Sequence, residues 1–267
     1  MDRHEAHRRV CGNLRFFLSR LRGLPVCQSA DLEGGRGFCL STRSESASDN
    51  WAFLPTPPQD PGTVEAALRF FEARSLPFVW PVLQEDDRGS ALQRAGLREA
   101  GRLLTMACPA RDAAEGCSRR PAMPLTFHPV RSRDGALRWA DAAWLGFDGK
   151  EPTAPAAFRE LADAMRGDPS LLPLTARLGD SEAEDAGTCL LTLSGAEMGV
   201  YYFAVLPRHR RHGVAAAMMA TAGRVALERG CSRIVLQATP AGVPFYRSAG
   251  FADLREMPLF STSDDVF

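Results

Sequence analysis

The chain lacks a net charge and has almost no lysine. Its 267 residues carry 32 Lys and Arg against 32 Asp and Glu, and Lys150 is the single lysine among them. Nucleic-acid-binding proteins usually carry a basic excess, so this balance argues against nucleic acid as a partner of the chain. Hydrophobic residues make up 45% and charged residues 24%, a composition typical of a soluble globular protein.

The sequence also lacks long apolar runs and paired cysteines. No segment is long and apolar enough to span a bilayer, and no signal-peptide core follows the basic residues "MDRHEAHRRVCGN". We therefore expect a cytoplasmic protein without a membrane partner. The seven cysteines show no CxxC spacing, which favours free buried thiols over a disulfide framework or a metal site. A Cys–His catalytic pair has no local support in the sequence.

Helix-like and strand-like segments alternate along two stretches of the chain. Residues 8–22 and 63–75 read as helices in the first stretch, and residues 134–147, 154–165 and 214–229 read as helices in the second. The polar, small-residue-rich segment 110–124 ends in proline and reads as a linker. The pattern predicts a mixed sheet flanked by helices, so an α/β or α+β fold, with domains at 1–120 and 124–267.

One basic loop stands out in the second stretch. "VLPRHRRHGVAAAMM", residues 205–219, leads from a predicted strand through Gly213 into a predicted helix. The first amides of a helix have no partner within the helix, and its dipole favours an anion there. Glycine lets the backbone approach a ligand, and Arg208, Arg210 and Arg211 supply positive charge. These features predict a phosphate site, although neither GK[ST] nor GxGxxG is present.

The order V-x-P-x-x-R-x-x-G-x-A, from Val205 to Ala215, resembles motif A of the GCN5-related N-acetyltransferase (GNAT) superfamily. "VPFYRSAGF", residues 243–251, is similar to the C-terminal segment of that family. The resemblance covers residues 126–260 well. It implies a mixed, mostly antiparallel sheet flanked by helices, and a loop that holds the pyrophosphate of acetyl-CoA.

The resemblance also implies roles for individual residues. Tyr246 matches the tyrosine that protonates the departing thiolate. The general base is not readable from the sequence, and Glu197, at the start of the strand before the loop, is the first candidate by its position. Asp180, Glu182, Glu184 and Asp185 lie in the preceding turn, where a run of charge is more typical of a solvated turn than of a base, and His209 and His212 are expected to contact phosphate or solvent. The residues expected to bind the cofactor are Phe203, Val205, Arg208, Arg210, Arg211, His212, Gly213, Val214, Ala215 and Ala216.

The first half looks like a weak repeat of the second. "LQRAGL", residues 92–97, parallels "YRSAGF", residues 246–251, so that Leu92 stands where Tyr246 stands. Where the second half has "RHRRHG" the first has "TPPQDPG", which has no arginine and fewer amides because proline lacks an N–H. We expect the same fold twice, with a degenerate first half that has lost cofactor binding.

The resulting prediction is an N-acetyltransferase that moves an acetyl group from acetyl-CoA to a primary amine by direct attack in a ternary complex. No residue stands out as a nucleophile for a covalent intermediate. The alternative is a non-catalytic acyl-CoA-binding regulatory protein, which the presence of Tyr246 disfavours. The acceptor, a small-molecule or peptide amine, is not readable from the sequence. A monomer or a homodimer is expected.

Overall fold

The computed structural model describes residues 2–56, 58, 60, 62–83, 88–116, 124–179 and 184–264. It divides into two compact units. Unit 1 holds the described residues up to Arg20 together with Thr105–Leu254, and unit 2 holds Leu21–Leu104 together with the described residues from Arg255 onward. None of the helices in the described residues is long and apolar enough to cross a membrane.

Helices and strands alternate along the described chain. The helices are α1 (Arg3–Arg22), α2 (Gly62–Glu72), α3 (Arg88–Arg94), α4 (Ala110–Glu115), α5 (Arg133–Gly146), α6 (Ala156–Met165), α7 (Val214–Glu228) and α8 (Val243–Ser248). The strands are β1 (Gln28–Leu32), β2 (Gly37–Ser41), β3 (Trp51–Phe53), β4 (Val79–Pro81), β5 (Arg98–Pro109), β6 (Leu125–Pro129), β7 (Leu171–Leu178), β8 (Asp185–Ser194), β9 (Glu197–Val205), β10 (Arg233–Ala238) and β11 (Ala252–Ser261).

Each unit has a mixed, mostly antiparallel sheet. In unit 1 the strand order is β5-β10-β9-β8-β7-β6, with β9 and β10 parallel and the pairs from β9 to β6 antiparallel. In unit 2 the order is β1-β2-β3-β4-β11, with β3 and β4 parallel and the other pairs antiparallel. The fold class predicted from the sequence is therefore confirmed.

Both units close around buried aromatic side chains. In unit 1 the fully buried Trp139 of α5 donates its indole N–H to the carbonyls of Leu174 and Cys189, which fixes α5 on the sheet. In unit 2 Phe71 of α2 stacks on Phe78, with ring centroids 4.3 Å apart. Burying such rings contributes on the order of 1.5–3 kcal/mol each, so they anchor the helices that frame both sheets.

The repeat expected from "LQRAGL" and "YRSAGF" is visible in the backbone. In each segment the last amide bonds to the first carbonyl, from Leu97 N to Leu92 O and from Phe251 N to Tyr246 O, both at 3.0 Å. The glycine before the last residue has φ of 90° in one segment and 88° in the other, a left-handed conformation that favours glycine. Leu92 therefore occupies the place in α3 that Tyr246 occupies in α8.

The two units do not follow the division at residues 120–124 that the sequence suggests. The end of β5, the last strand of the first half, lies beside β10 in unit 1, and Ala110 N bonds to Ser232 O at 2.9 Å. The end of β11, the last strand of the second half, lies beside β4 in unit 2, where Phe260 is opposite Trp80. The halves thus exchange their final strands.

Two segments differ from their predicted structure. The linker predicted at 110–124 begins as helix α4, which packs on α7: a Cβ placed on Gly223 would lie 2.4 Å from Ala114 N. The rest of that segment, 117–123, lies outside the described residues. Helix α1 begins at Arg3, five residues earlier than predicted, and belongs to unit 1 up to Arg20.

Candidate functional site

The basic loop has the strand–turn–helix geometry that the sequence predicts. Strand β9 ends at Val205, a short 3-10 turn spans Pro207–His209, and α7 begins at Val214. Gly213 precedes the helix with φ 85° and ψ 1°, and Arg211 also has a positive φ of 68°. Glycine adopts a φ of 85° without the steric strain that a side chain adds, which explains the position of Gly213 at the helix entrance.

Six consecutive amides at this entrance have no acceptor among the described residues. In the described part of the chain, the first backbone amide of α7 that bonds to a carbonyl is that of Ala217, which donates to Gly213 O at 3.1 Å. The amides of residues 211–216 precede it and bond to nothing that the structure describes. Together with the dipole of the 15-residue helix, they form a group of donors suited to a phosphate.

The basic side chains of the loop divide into two kinds. Arg210 is engaged in the fold, because it donates to Gly146 O and Asp148 Oδ1, both at 2.9 Å, and to Val205 O at 3.2 Å. Arg208 donates to Glu184 at 2.9 Å. Arg211 and His212 are exposed and pair with no described residue. Of the three arginines expected at the phosphate, only Arg211 has a guanidinium that pairs with no described residue.

Strands β9 and β10 separate next to this loop. Their parallel pairing runs over three residues and ends at Gly199 and Val235, although β9 continues to Val205 and β10 to Ala238. On the other edge of β9, Tyr202 and Phe203 lie opposite one residue of β8, which is a β-bulge, and Tyr202 has a φ of 45°. A bulge bends its strand. The result is a gap between β9 and β10 that opens toward the basic loop.

Aromatic rings line the open end of this gap. Phe203 stacks on Phe245 with centroids 5.8 Å apart and lies 6.0 Å from the ring of Tyr246, which in turn packs edge-on against Phe251 at 5.6 Å. Tyr246 is half-buried, and burial raises the pKa of its phenol above the usual value. Its hydroxyl bonds to no side chain in the described part of the chain and stays protonated near neutral pH.

The remaining residues expected at the cofactor site lie along the same path. Phe203 and Val205 are half-buried on β9 beside the gap. Val214, Ala215 and Ala216 form the first turn of α7, where the side chain of Val214 is buried. The amides of these three residues belong to the unpaired row at the helix entrance.

Glu197 lies far from the loop. It begins β9 at the opposite end, six residues before Phe203, which is about 20 Å of extended strand. Its buried carboxylate pairs with Arg9 at 2.9 Å and with Arg233 at 3.7 Å. These contacts are those of a structural ion pair, so the geometry does not support the expectation that Glu197 is the base.

The other acidic candidates form ion pairs or fall outside the described residues. Asp185 pairs with Arg138 and Arg177. Glu184 binds Arg208 and His209, and the Arg208 guanidinium lowers the pKa of that carboxyl. Asp180 and Glu182 lie outside the described residues. In the ranges that the structure describes, no group of three His, Cys, Asp or Glu side chains is placed to hold a metal ion.

Sequence reasoning missed a set of polar residues beneath β9. Helix α1 runs along this strand, with Arg9 against Glu197, Asn13 against Tyr201, and the ring of Phe17 stacked on Tyr201 at 3.9 Å. Asn13 lies 188 residues from Tyr201 in the sequence. No local pattern links the two segments, so only the fold places α1 at this site.

In unit 2 the corresponding helix start is occupied by carboxylates. Asp60 accepts the amide of Gly62 at 2.9 Å, and Thr63 donates its hydroxyl to Glu33 at 3.1 Å. Glu33 also pairs with Arg36. A bound phosphate would face the Asp60 carboxylate and the Glu33–Arg36 ion pair here, whereas the entrance of α7 offers six amides.

Comparison with known proteins agrees with this arrangement. Residues 136–251 match the model of the acetyltransferase (GNAT) family. This segment is a GNAT-family domain. No curated protein matches the chain.

Solved structures extend the likeness of the GNAT fold to both units. A GCN5-related N-acetyltransferase from Kribbella flavida is 18% identical, with a TM-score of 0.64, covering 95% of this chain and 94% of its own. A tandem GNAT protein from the clavulanic acid biosynthesis pathway is 12% identical, with a TM-score of 0.58, and the coverages are 90% and 84%. A GCN5-related N-acetyltransferase from Sphaerobacter thermophilus is 16% identical, with a TM-score of 0.55, and the coverages are 92% and 84%. At these identities the likeness concerns the fold.

Proposed function

We propose that this chain is an N-acetyltransferase that moves an acetyl group from acetyl-CoA to a primary amine by direct attack in a ternary complex. The observation that carries the proposal is the row of six unpaired amides at residues 211–216, beside the gap between β9 and β10. Such a row of donors is suited to an anion, and the gap beside it is suited to an extended arm of the cofactor. GNAT membership of residues 136–251 supports acyl transfer in general.

The binding roles follow from the contacts. The amides of residues 211–216 and the free guanidinium of Arg211 hold the pyrophosphate. Arg210 and Arg208 set the shape of the loop through their contacts with the end of α5 and with Glu184. At Phe203 and Val205, the edge of β9 that faces β10 has no partner strand. This edge lies along the extended arm of CoA that carries the thioester.

The chemistry falls to the groups at the open end of the gap. Acetyl-CoA supplies an activated acyl group, held as a thioester that an amine can attack. A backbone N–H of β9 polarises the carbonyl oxygen as charge develops on it. Tyr246 delivers its phenolic proton to sulfur while the carbon–sulfur bond breaks and the carbon–nitrogen bond forms, and it recovers through solvent the proton that the amine loses.

We further propose that unit 2 binds no CoA. Its helix α2 begins with an amide already taken by Asp60 and with Glu33 at the adjacent hydroxyl of Thr63. Repulsion between these carboxylates and a pyrophosphate disfavours binding. The unit then serves as a degenerate copy of the GNAT fold.

Thiol release tests the proposal directly. The whole chain is mixed with acetyl-CoA and a panel of small-molecule and peptide amines, and free CoA thiol is measured while calorimetry follows CoA binding. Amine-dependent release with intersecting initial-rate lines is expected for a ternary complex. Parallel lines would indicate a covalent intermediate. Binding of CoA without release for any amine would favour the regulatory alternative.

A further inference from the structure

Four polar side chains meet on the face of β9 that α1 covers. We call Asn13, Thr192, Tyr201 and Gln237 the α1–β9 cluster. The Tyr201 hydroxyl donates to Asn13 Oδ1 at 2.9 Å, and the Thr192 hydroxyl donates to the same oxygen at 3.3 Å. The side chain of Gln237, from β10, lies against the same phenol. The proposed chemistry at Tyr246 uses none of these groups.

In the described part of the chain, the Asn13 amide nitrogen of this cluster is buried without a partner. Asn13 is only 2% exposed and its Nδ2 has no acceptor there, whereas Gln237 Nε2 makes no bond of normal geometry but lies beside the Tyr201 oxygen. Burying an unpaired polar group destabilises a fold, so native proteins rarely keep one without a reason. Exchanging the oxygen and nitrogen of the Asn13 amide does not remove the unpaired atom. The hydroxyls of Thr192 and Tyr201 would then accept from the nitrogen, and the oxygen would have no donor.

The cluster lies where the gap between the strands begins. Pairing of β9 with β10 ends at Gly199 and Val235, and Tyr201 and Gln237 each lie two residues further along their strands. Side chains two residues apart share a face of a sheet. Tyr201 is four residues before Val205, about 13 Å of strand from the basic loop. When the pyrophosphate of acetyl-CoA binds at the loop and the arm of the cofactor lies in the gap, the acyl end of that arm therefore points toward the cluster.

The packing around the cluster is close and specific. A Cβ on Gly199 would lie 2.0 Å from Asn13 Oδ1 and 2.5 Å from Thr192 Oγ1, so only glycine allows α1 to bring Asn13 this near. Phe17, one turn further along α1, stacks on the ring of Tyr201. The free amide end of Asn13 is thus held in a fixed position, which favours selective recognition.

The cluster contains amides and hydroxyls but no charge. In the part of the chain that the structure describes, no ionised side chain bonds to it, and the nearby Glu197 is neutralised by Arg9 and Arg233. Taking a charged group into such surroundings is costly, whereas a neutral group that can donate and accept fits carboxamides well. We propose that the α1–β9 cluster binds a neutral hydroxyl or amide group of a substrate at the closed end of the gap.

The inference rests on the proposed acyl transfer and names its substrate class. The hydroxyl or amide belongs either to the acyl group or to the acceptor amine. Paired probes separate these sources: 3-hydroxybutyryl-CoA against butyryl-CoA, and ethanolamine or glycinamide against propylamine or isobutylamine. The first test is wild-type CoA binding and thiol release, because failure there counts against acyl transfer itself and not against the cluster.

With wild type active, the variants Gln237→Met and Asn13→Leu test the cluster. These changes remove the amides at similar volume, and Gln93→Met, at an exposed position on α3, is the matched control. We expect wild type and the control to prefer the oxygen-bearing probe by at least about tenfold in kcat/KM, because a site built for a hydrogen bond discriminates against an analogue that lacks it. Both cluster variants should lose this preference and keep their CoA affinity.

Thermal unfolding gives a second, independent result. The oxygen-bearing acyl-CoA alone, or the oxygen-bearing amine in the presence of CoA, should raise the Tm of wild type more than its matched partner does, and the cluster variants should show no such difference. If the amide of Gln237 has no role in binding, Gln237→Met should have a higher Tm than wild type and the same probe preference. That result would overturn the proposal. Equal kcat/KM values of wild type for both members of every probe pair would also overturn it.

Discussion

Tyr246 is the residue on which the proposed chemistry depends most. Burial raises its pKa, so the phenol keeps its proton throughout the neutral range, as a proton donor to sulfur must. Tyr246→Phe should lower turnover by ~10²–10⁴-fold, the usual effect of removing a general acid. CoA affinity and Tm near neutral pH should change little, because the ring contacts with Phe203 and Phe251 remain.

The same pKa has a consequence at alkaline pH. An unfolded tyrosine ionises near ~10, whereas the buried phenol does so higher, so the stability that it contributes is fully present below ~10 and falls as pH rises further. Because the phenol of Tyr246 stays protonated below that pH, its ionisation should not lower turnover there. Turnover, CoA affinity and Tm on one Tyr246→Phe preparation decide the matter: a turnover loss under about tenfold would remove Tyr246 from the catalytic residues.

The arginines of the loop should differ in effect. Arg211 is exposed and pairs with no described residue, whereas Arg208 is already paired with Glu184. Arg211→Ala should weaken CoA binding by about 1.5–3 kcal/mol, the range for a hydrogen bond to a charged group. Arg208→Ala, the matched control, should cost less than about 1 kcal/mol because it removes an exposed ion pair. Calorimetric titration measures both, and the reverse order would show that Arg208 leaves Glu184 to bind the pyrophosphate.

At the scale of single elements, the entrance of α7 makes the sharpest prediction. Gly213→Val should abolish CoA binding, because a branched side chain would stand at the row of amides and disfavours φ of 85°. The loop is a surface segment, so the fold should survive with a modest loss of Tm. Circular dichroism and calorimetry check both parts. Unchanged CoA affinity in a folded variant would mean that Gly213 only ends the turn.

The sequence predicted this element well because its signals are local. The apolar spacing of Val214–Glu228 and the glycine before it lie within one short stretch, and α7 begins where that pattern begins. The separation of β9 from β10 had no such signal, because a bulge at Tyr202 depends on the register between strands. The role of α1 was missed for the same reason: Asn13 meets Tyr201 only after the chain has folded.

Glu197 shows the limit of reading a role from position in a motif. A carboxylate at the start of the key strand is a reasonable base on sequence grounds. The ion pairs with Arg9 and Arg233 come from elements that the motif does not include. Contacts of long sequence separation therefore decide between a catalytic and a structural carboxylate.

For the whole molecule, the exchange of final strands makes the halves interdependent. A fragment of residues 124–267 lacks both α1 and β5, which cover β9 and flank β10 in unit 1. An uncovered, unpaired edge promotes aggregation, so this fragment alone should be aggregated or unfolded. Co-expression with residues 1–120 should restore a soluble complex, which gel filtration detects. A monomeric, CoA-binding fragment 124–267 would contradict this account.

The repeat was readable from the sequence, but the exchange was not. "LQRAGL" and "YRSAGF" form the same backbone hydrogen bond and both contain a left-handed glycine. The similarity of the two sequences therefore predicts the similarity of their backbones. Which sheet receives β5 or β11 depends on pairing between distant segments. A linear boundary at residues 120–124 therefore missed the composition of both units.

We propose one CoA site per chain, at the entrance of α7, and none in unit 2. Calorimetric titration of the intact chain with CoA tests this proposal, with Gly213→Val as the companion variant. We expect one equivalent of CoA for wild type and no binding for folded Gly213→Val. Two equivalents for wild type, or one that persists in folded Gly213→Val, would contradict it.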